Sequence, residues 1–265
     1  MSSSLRLAIN GASGRMGNEL LQRVRADGRF ELAHAVVAPG SEHDGAALPG
    51  TALHYARDWK QAPALDVVVD FSGPAGLAAA LGHCLDRGVA LVTGTTGLDA
   101  ALNQRLDAAA QRIPLLRAAN FSLGVAVLTR LLREASAALR DWDLEIVEAH
   151  HGRKEDAPSG TALALGEAAA AARGTTLAHD AVYVREGRTG PRRRGSIGFA
   201  VVRGGDIVGE HQALLVGAGE RVELGHRATD RSIFARGALE AAHWLAGRAP
   251  GAYDLDAMLA ERAGR

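Results

Sequence analysis

The chain has 265 residues, 47% of them hydrophobic, which is enough to bury one large core or two modest ones. Thirty Lys and Arg balance thirty Asp and Glu, so the net charge gives no long-range attraction to nucleic acid or to an anionic membrane. The single cysteine, Cys84, excludes an intrachain disulfide and lies in an apolar stretch that favours a buried structural thiol. Without a signal segment or a long apolar span, we expect a cytoplasmic protein with neither a membrane nor a nucleic-acid partner.

The first part of the chain alternates between strand and helix patterns. Strands are predicted at residues 5–10, 31–38, 66–71, 89–93 and 114–118, with helices starting near Met16 and at 75–87 and 98–111. Such alternation is typical of βαβ units, in which helices cover both faces of a parallel sheet. The fold class is therefore α/β, with a Rossmann-type doubly wound domain over residues 1–121.

The pattern changes after Asn120. Helices are predicted at residues 123–139 and 159–172, and strands at 144–149, 181–185, 197–203, 207–216 and 221–224. Residues 122–229 are therefore predicted to form an α+β domain with an open mixed sheet. A helix capped by Asp230 and ending at Trp244, a break at Pro250 and Gly251, and a helix at 255–261 follow. These last elements, within 230–265, could pack back on the first domain.

A glycine-rich turn follows the first strand, with the sequence Gly11, Ala12, Ser13, Gly14, Arg15, Met16 and Gly17. Glycine lets the backbone approach a pyrophosphate closely, and the helix that follows presents N–H groups and a positive dipole end. An ordinary glycine turn has the same spacing, but its position after the first strand favours dinucleotide binding.

The second predicted strand ends without the carboxylate that binds the ribose hydroxyls in NAD-selective sites, because Ala38, Pro39 and Gly40 occupy that place. Arg15 could pair with a 2′-phosphate, and Ser41 or His43 could contact the ribose. This favours NADPH, or the use of both NADPH and NADH.

Two further segments end strands at the same predicted edge of the sheet. They are Gly94, Thr95, Thr96 and Gly97, and Ala118, Ala119, Asn120 and Phe121. Ligands of open α/β sheets bind at this edge, where small and hydroxylated residues would let a nicotinamide ring lie flat. Two ordinary βα turns are the alternative interpretation.

The segment from Glu148 to Thr161 contains the residues best suited to substrate binding and proton transfer. His150, His151, Arg153 and Lys154 precede a helix start formed by Ser159, Gly160 and Thr161, and together they would bind a small di-anion. A histidine here can move a proton, and Lys154 can hold charge or donate a proton. A solvated loop is the alternative; a metal site is disfavoured because adjacent histidines chelate poorly.

Other polar residues are given structural roles. Arg192, Arg193 and Arg194 are predicted to form an exposed loop or an oligomer contact. His211 and His226 are interpreted as ordinary strand or helix-start residues.

The segment from Glu148 to Leu163 resembles the signature of the 4-hydroxy-tetrahydrodipicolinate reductases. The resemblance continues through residues 11–17, 70–72, 94–97, 119–122, 203–211 and 226–238, and so covers nearly the whole chain. It implies a homotetramer that reduces a cyclic imine dicarboxylate with NADPH or NADH, with loss of water, in lysine and diaminopimelate synthesis.

The resemblance also implies residue roles. His150 would donate or accept a proton, Lys154 would donate one, and His151, Ser159, Gly160 and Thr161 would bind the substrate carboxylates. The cofactor would contact Gly11, Ala12, Ser13, Gly14, Arg15, Met16, Gly94, Thr95, Thr96, Ala118, Ala119, Asn120 and Phe121, and no metal is expected.

The chain departs from the family pattern at three places, which comprise five residues. Ala38 and Pro39 replace an acidic residue and arginine, Ala126 replaces asparagine, and Thr229 with Asp230 replaces a pair of serines. The rule that separates NADH from NADPH use within the family therefore does not transfer to this chain.

A dinucleotide sensor and a dehydrogenase of another small acid are the competing functions. His150 and Lys154 argue against the sensor, which would need no proton donor.

Overall fold

The computed structural model describes residues 4–264 and divides into two compact units. The first unit contains the chain up to Leu123 and again from Ser232 onward, and the second contains Gly124–Arg231.

The described chain contains the following elements in order: β1 Leu5–Asn10, α1 Arg15–Val24, β2 Phe30–Val36, β3 Val67–Asp70, α2 Pro74–Arg87, β4 Ala90–Thr93, α3 Ala100–Ala109, β5 Pro114–Arg117, α4 Leu123–Ala138, β6 Asp143–His150, α5 Gly160–Arg173, α6 Leu177–Asp180, β7 Ala181–Val182, β8 Ile197–Arg203, β9 Gly209–Val216, β10 Arg221–Ala228, α7 Ser232–Leu245, β11 Gly251–Tyr253 and α8 Leu255–Arg262.

The first unit is built on a parallel six-stranded sheet in the order β11-β5-β4-β3-β1-β2. Every residue of β3 and β4 is buried, as expected for strands covered on both faces. The chain builds outward from β1 to β2 and then returns to place β3 on the other side of β1. This reversal creates a crevice at the carboxyl ends of β1 and β3. The predicted Rossmann-type sheet is confirmed.

The second unit contains a mixed five-stranded sheet in the order β10-β9-β6-β8-β7. β6 runs parallel to β8 and antiparallel to β9. Its core joins Leu144 and Ile146 of β6 to Leu132 of α4 and Leu165 of α5, all fully buried. Side chains alternate along β6, so one face enters this core, and the predicted open mixed sheet is confirmed.

Several predicted boundaries differ from the structure. The strand expected at 181–185 is the two-residue β7, preceded by the unpredicted helix α6, and β10 continues to Ala228 rather than 224. The predicted break at Pro250 and Gly251 does separate α7 from α8, but it also contains the unpredicted strand β11, which begins at Gly251 and pairs with β5. Strands of two or three residues are too short to show a period of two. Helix α7 begins two residues after Asp230.

None of the helices in the described part of the chain is long and apolar enough to cross a bilayer. Within residues 4–264, no three or more His, Cys, Asp or Glu side chains are grouped so that they could hold a metal ion. Cys84 is fully buried, and burial raises the pKa of its thiol.

Candidate active site

The glycine turn between β1 and α1 is shaped by backbone contacts that a side chain would block. Gly11 has a φ of +80°, and a Cβ on it would lie 2.6 Å from the Phe71 carbonyl oxygen. A Cβ on Gly17 would lie 2.2 Å from the Gly11 carbonyl oxygen. Both glycines are therefore required for the turn to pass this close to its neighbours.

The amino end of α1 is left open to an anion. Gly14 is its N-cap, so no side chain caps the helix, and the first turn contains no acidic residue. Gly14 and Arg15 are exposed, whereas the side chain of Ala12 is fully buried. Ala12 could therefore contact a nucleotide only through its main chain, while the exposed Arg15 is placed where a phosphate would be attracted.

The end of β2 leads into an exposed segment at Ala38, Pro39 and Gly40. Just beyond it, the N–H of His43 donates to Ser41 Oγ at 3.3 Å, and the His43 ring lies 5.5 Å from that of Tyr55. Neither arrangement selects between a ribose hydroxyl and a 2′-phosphate.

A cavity of about 290 Å³ joins the other two predicted nucleotide segments. Thr95 and Thr96 line one side of it, and Ala118 and Ala119 line another. Phe121 is 2% exposed and its ring packs edge-on against that of Phe71, at 5.2 Å between centroids. The two strand ends predicted from sequence therefore meet at one cavity, where Phe121 itself belongs to the core.

In the second unit, the buried carboxylate of Glu148 connects three segments of chain. Arg203 donates to its two oxygens at 2.7 and 2.8 Å, and the backbone N–H of Ser159 donates to Oε1 at 2.9 Å. Burial opposes the ionisation of Glu148, but these hydrogen bonds and that from His150 outweigh it and lower the pKa of the carboxyl group.

Glu148 also orients His150, which follows it by two residues on the same face of β6. His150 Nδ1 lies 2.7 Å from Glu148 Oε2, so Nδ1 carries the proton and Nε2 is the nitrogen left for chemistry. A Cβ on Gly209 of the neighbouring β9 would lie 3.1 Å from this Nε2. Gly209 therefore leaves the space that the imidazole occupies.

His211 supports the same region from β9. Its ring lies 5.2 Å from that of His150, and its Nε2 is 3.1 Å from Ser159 Oγ. Ser159 is 2% exposed and its hydroxyl also accepts the Ala162 N–H, which caps α5. Burial, followed by the proximity of His150, lowers the pKa of His211 to about 4. His211 is consequently neutral at physiological pH.

The loop between β6 and α5 is rich in cations. Lys154 Nζ donates to Asp156 Oδ1 at 2.6 Å, and the lysine side chain is 20% exposed. Partial burial, and then the nearby charges of Arg231 and Arg153, lower the pKa of His151. Arg231 therefore adds a further cation to this loop from a distant part of the sequence.

The loop ends where α5 begins, with Gly160 and Thr161 in the first turn. First-turn N–H groups of a helix have no acceptor within the helix, and they attract anions. A Cβ on Gly160 would have no neighbour within 4 Å, so open space surrounds this position. The structure thus brings the predicted residues His150, His151 and Lys154 into one loop that leads to the amino end of a helix.

Sequence patterns predict no role for Glu148, Arg203 or Arg231 and indicate an ordinary strand residue at His211. The structure places His211 against His150 and Ser159. Alternation along β6 could have paired Glu148 with His150, but the contributions from β8 and β9 depend on strand register. Arg193 and Arg194 are exposed in a loop, as predicted, whereas Arg192 is 20% exposed and pairs with Asp143 and Glu145.

A doubly wound sheet with a glycine turn at its reversal point, together with a cation-rich loop that follows an oriented histidine, defines an oxidoreductase that uses a nicotinamide dinucleotide. Family profiles described as "Dihydrodipicolinate reductase, N-terminus" and "Dihydrodipicolinate reductase, C-terminus" match residues 5–121 and 124–259.

The 4-hydroxy-tetrahydrodipicolinate reductase of Acinetobacter baylyi is 46% identical over 98% of this chain and 97% of its own length. That of Thiobacillus denitrificans is 50% identical over 95% of this chain and 97% of its own length. The dipicolinate-bound dihydrodipicolinate reductase of Paenisporosarcina sp. TG-14 shares the fold, with a TM-score of 0.79 at 24% identity, over 95% of this chain and 97% of that one. The chain belongs to the 4-hydroxy-tetrahydrodipicolinate reductase family.

Proposed function

We propose that this protein reduces 4-hydroxy-tetrahydrodipicolinate to tetrahydrodipicolinate with loss of water, in lysine and diaminopimelate synthesis. Family membership supports the reaction, and the observation that carries it to named residues is the hydrogen bond of 2.7 Å between His150 and the buried Glu148. This bond leaves His150 Nε2 available within a loop that also contains Lys154. A bound reduced nicotinamide supplies the hydride, and the chain must bind the substrate and provide a proton.

The substrate has two carboxylates, and the loop offers matching donors. His151 and the first-turn N–H groups of Gly160 and Thr161 would bind one carboxylate, while the charges of Lys154 and Arg231 attract the other. The Paenisporosarcina relative was crystallised with dipicolinate, itself a planar dicarboxylate. Ser159 would act indirectly, since its N–H serves Glu148 and its hydroxyl serves α5 and His211.

His150 and Lys154 are the proposed proton-transfer residues. Hydride addition leaves an electron-rich carbon that must be protonated, and His150 Nε2 is proposed to deliver that proton. The ion pair with Asp156 holds Lys154 in this loop, where it would stabilise negative charge on the substrate and could donate a proton.

The nucleotide is proposed to bind along the edge of the first sheet. Its pyrophosphate would contact Gly11 to Met16, and its nicotinamide ring would contact Gly94 to Thr96 and Ala118 to Phe121. The exposed Arg15 supports use of NADPH, and the absence of a carboxylate from residues 36–40 removes the usual preference for NADH. We therefore propose that NADPH is used, with NADH accepted.

Two further proposals rest on family membership. The chain is proposed to act as a homotetramer in the cytoplasm. The face of the second sheet that does not enter the core carries Val202 and Val216, which are 48% and 38% exposed. Exposed apolar residues on an open sheet face are suited to contact with another copy of the chain.

The deciding experiment measures the loss of reduced-nicotinamide absorbance with NADPH and with NADH. The substrate is made in situ by condensing pyruvate with aspartate semialdehyde through the preceding synthase. We expect turnover with both cofactors and a higher kcat/KM for NADPH. Nucleotide binding without oxidation at high enzyme concentration would instead indicate a dinucleotide sensor.

Variants test the proposed proton-transfer residues in the same assay. His150→Gln and Lys154→Met should each lower kcat by roughly 10² to 10⁴, the usual contribution of general acid–base catalysis. His54→Gln, which changes an exposed histidine of the first unit, is the control. If both variants keep the kcat of the unmodified protein, the assignment of roles is wrong.

A further inference from the structure

Asp70, the last residue of β3, is a fully buried carboxylate at the reversal point of the first sheet. Asn10 Nδ2 and Ser72 Oγ lie 2.7 and 2.5 Å from its Oδ1. Thr93 Oγ1 and Thr95 Oγ1 lie 2.7 and 2.6 Å from its Oδ2. One side chain therefore joins the ends of β1, β3 and β4.

The neighbours of Asp70 surround its carboxyl group with hydrogen-bond donors. Thr93 Oγ1 accepts the N–H of Thr95 at 3.2 Å, and Ser72 Oγ accepts from Asn10 Nδ2 at 3.0 Å. Thr93 is thereby left to direct its hydroxyl proton at Asp70, and Ser72 Oγ lies closer to Asp70 Oδ1, at 2.5 Å, than to the Gly73 carbonyl oxygen, at 3.3 Å. Four donor groups therefore face the two oxygens, an arrangement that stabilises a carboxylate.

The charge of Asp70 has no cationic partner. Among residues 4–264, no Lys, Arg or His side chain forms an ion pair or hydrogen bond with it. A buried carboxylate that is held only by neutral donors is costly, and such groups are usually paired or functional. The crevice beside Asp70 is therefore suited to a ligand that can become positively charged.

The position of the cluster connects this charge with the cofactor. Thr93 and Thr95 line the cavity of about 290 Å³ that also contains Ala118 and Ala119. Thr95 is thus both a cavity wall and a direct donor to Asp70. A nicotinamide ring is neutral when reduced and cationic when oxidised. A fixed negative charge next to Thr95 would therefore attract the oxidised ring more strongly than the reduced one.

We propose that Asp70 is a fixed negative charge that selectively stabilises the oxidised form of the bound nicotinamide dinucleotide and so makes the reduced form a stronger hydride donor. Asp70 acts through the electrostatic field and through the two segments that it joins, without touching the ring. The inference deepens the proposed function, because it rests on the cavity of Thr95 and Ala118 being the nicotinamide site.

The test compares the dissociation constants of NADP⁺ and NADPH by calorimetry, which needs no turnover. In Asp70→Asn the ratio of the NADP⁺ constant to the NADPH constant should rise roughly tenfold, the scale of a charge–charge interaction in a partly screened site. Thr93→Val is the matched control: it removes one hydrogen bond to Asp70 but keeps the charge. It should change both constants by the same factor.

The outcomes separate this inference from the proposed function. An unchanged ratio in Asp70→Asn, with both nucleotides still bound, would mean that Asp70 is only structural and would overturn the inference. If Asp70→Asn does not fold, Asp70→Ser removes the same charge and leaves space for a water molecule. A raised ratio without substrate reduction by the unmodified protein would leave the inference standing and reject the reductase. An unmodified protein that binds neither nucleotide would reject both.

Discussion

The carboxylate of Glu148 accepts two hydrogen bonds from Arg203, one from Ser159 and one from His150. Its two oxygens are therefore fully used, and each partner depends on the others. A glutamine has only one acceptor oxygen, so it cannot hold His150 and the Ser159 N–H while also facing a guanidinium. A substitution of Glu148 is therefore expected to affect the orientation of His150 more than any other property of the site.

We expect Glu148→Gln to lower kcat by roughly tenfold to a hundredfold, the usual effect of losing the carboxylate that orients a functional histidine. The KM for the substrate should change less, because the loop cations remain. Steady-state kinetics measure both.

Glu145→Gln is the matched control for this variant. Glu145 lies on the same strand and pairs with two arginines, Arg185 and Arg192, but contacts no histidine. A similar loss of kcat in both variants would mean that Glu148 acts only through stability.

The neutral His211 predicts a pH dependence of stability. In the unfolded chain this group takes up a proton near its ordinary pKa of 6.5, whereas in the folded chain the pKa is about 4. Between these values the unfolded chain binds more protons, so stability rises with pH. The contribution is fully present above pH 6.5 and is lost as pH falls to 4. Its size is on the order of 3 kcal/mol.

Urea unfolding at several values between pH 7 and pH 4 tests this expectation. His211→Gln should flatten the fall in the free energy of unfolding over that range, and His54→Gln, at an exposed position, should not. Parallel curves for His211→Gln and the unmodified protein would contradict the assignment of a neutral, buried imidazole.

At the scale of single residues, the reactive side chains could be predicted from the sequence, but the residues that orient them could not. His150 and Lys154 could be found because they are neighbours in the chain. Arg203 and His211 come from β8 and β9, where they lie opposite His150 and Glu148 in the strand register. A shift of one residue in β8 would turn Arg203 to the other face, and a shift in β9 would turn His211, and no local pattern determines either register.

At the scale of elements, the strands that could be predicted are those with long apolar runs. β3 and β4 are buried at every position, so composition alone marks them. β11 has three residues and is stabilised by pairing with β5, far away in sequence. Its formation depends on tertiary structure, which is why the local signals at Pro250 and Gly251 predict a break between helices but not this strand.

The glycine turn offers a sharp test at this scale. Alanine at position 17 would place its Cβ 2.2 Å from the Gly11 carbonyl oxygen and 2.6 Å from Ala12 Cα, both main-chain atoms that cannot move independently. We expect Gly17→Ala to lower the free energy of unfolding by about 1–3 kcal/mol and to weaken NADPH binding. Denaturant unfolding and calorimetry measure the two effects.

Gly28→Ala provides the comparison, because a Cβ there meets nothing within 4 Å and its backbone does not require glycine. It should leave NADPH affinity unchanged and alter stability by less than about 1 kcal/mol in either direction. Equal NADPH affinity in Gly17→Ala and the unmodified protein would show that the turn does not form the nucleotide site.

At the scale of the whole molecule, the two kinds of proposed ligand belong to different units. The segments 11–17, 94–97 and 118–121 all lie in the first unit, and the loop from His150 to Thr161 lies in the second. A ligand that binds only the folded state of a segment reduces its local opening, by up to about 2.7 kcal/mol at a hundred times the dissociation constant. Hydrogen exchange can therefore assign each ligand to a unit.

We expect NADPH to slow exchange at residues 11–17 and 94–97, and dipicolinate to slow it at residues 150–161. Each ligand is added alone to the full chain, and exchange is followed by mass spectrometry. Gly17→Ala should abolish the protection given by NADPH while leaving that given by dipicolinate, because only the first unit contains the altered turn. If NADPH, added without dipicolinate, protects residues 150–161 and not residues 11–17, the nucleotide binds the second unit. That outcome would refute the assignment of both sites.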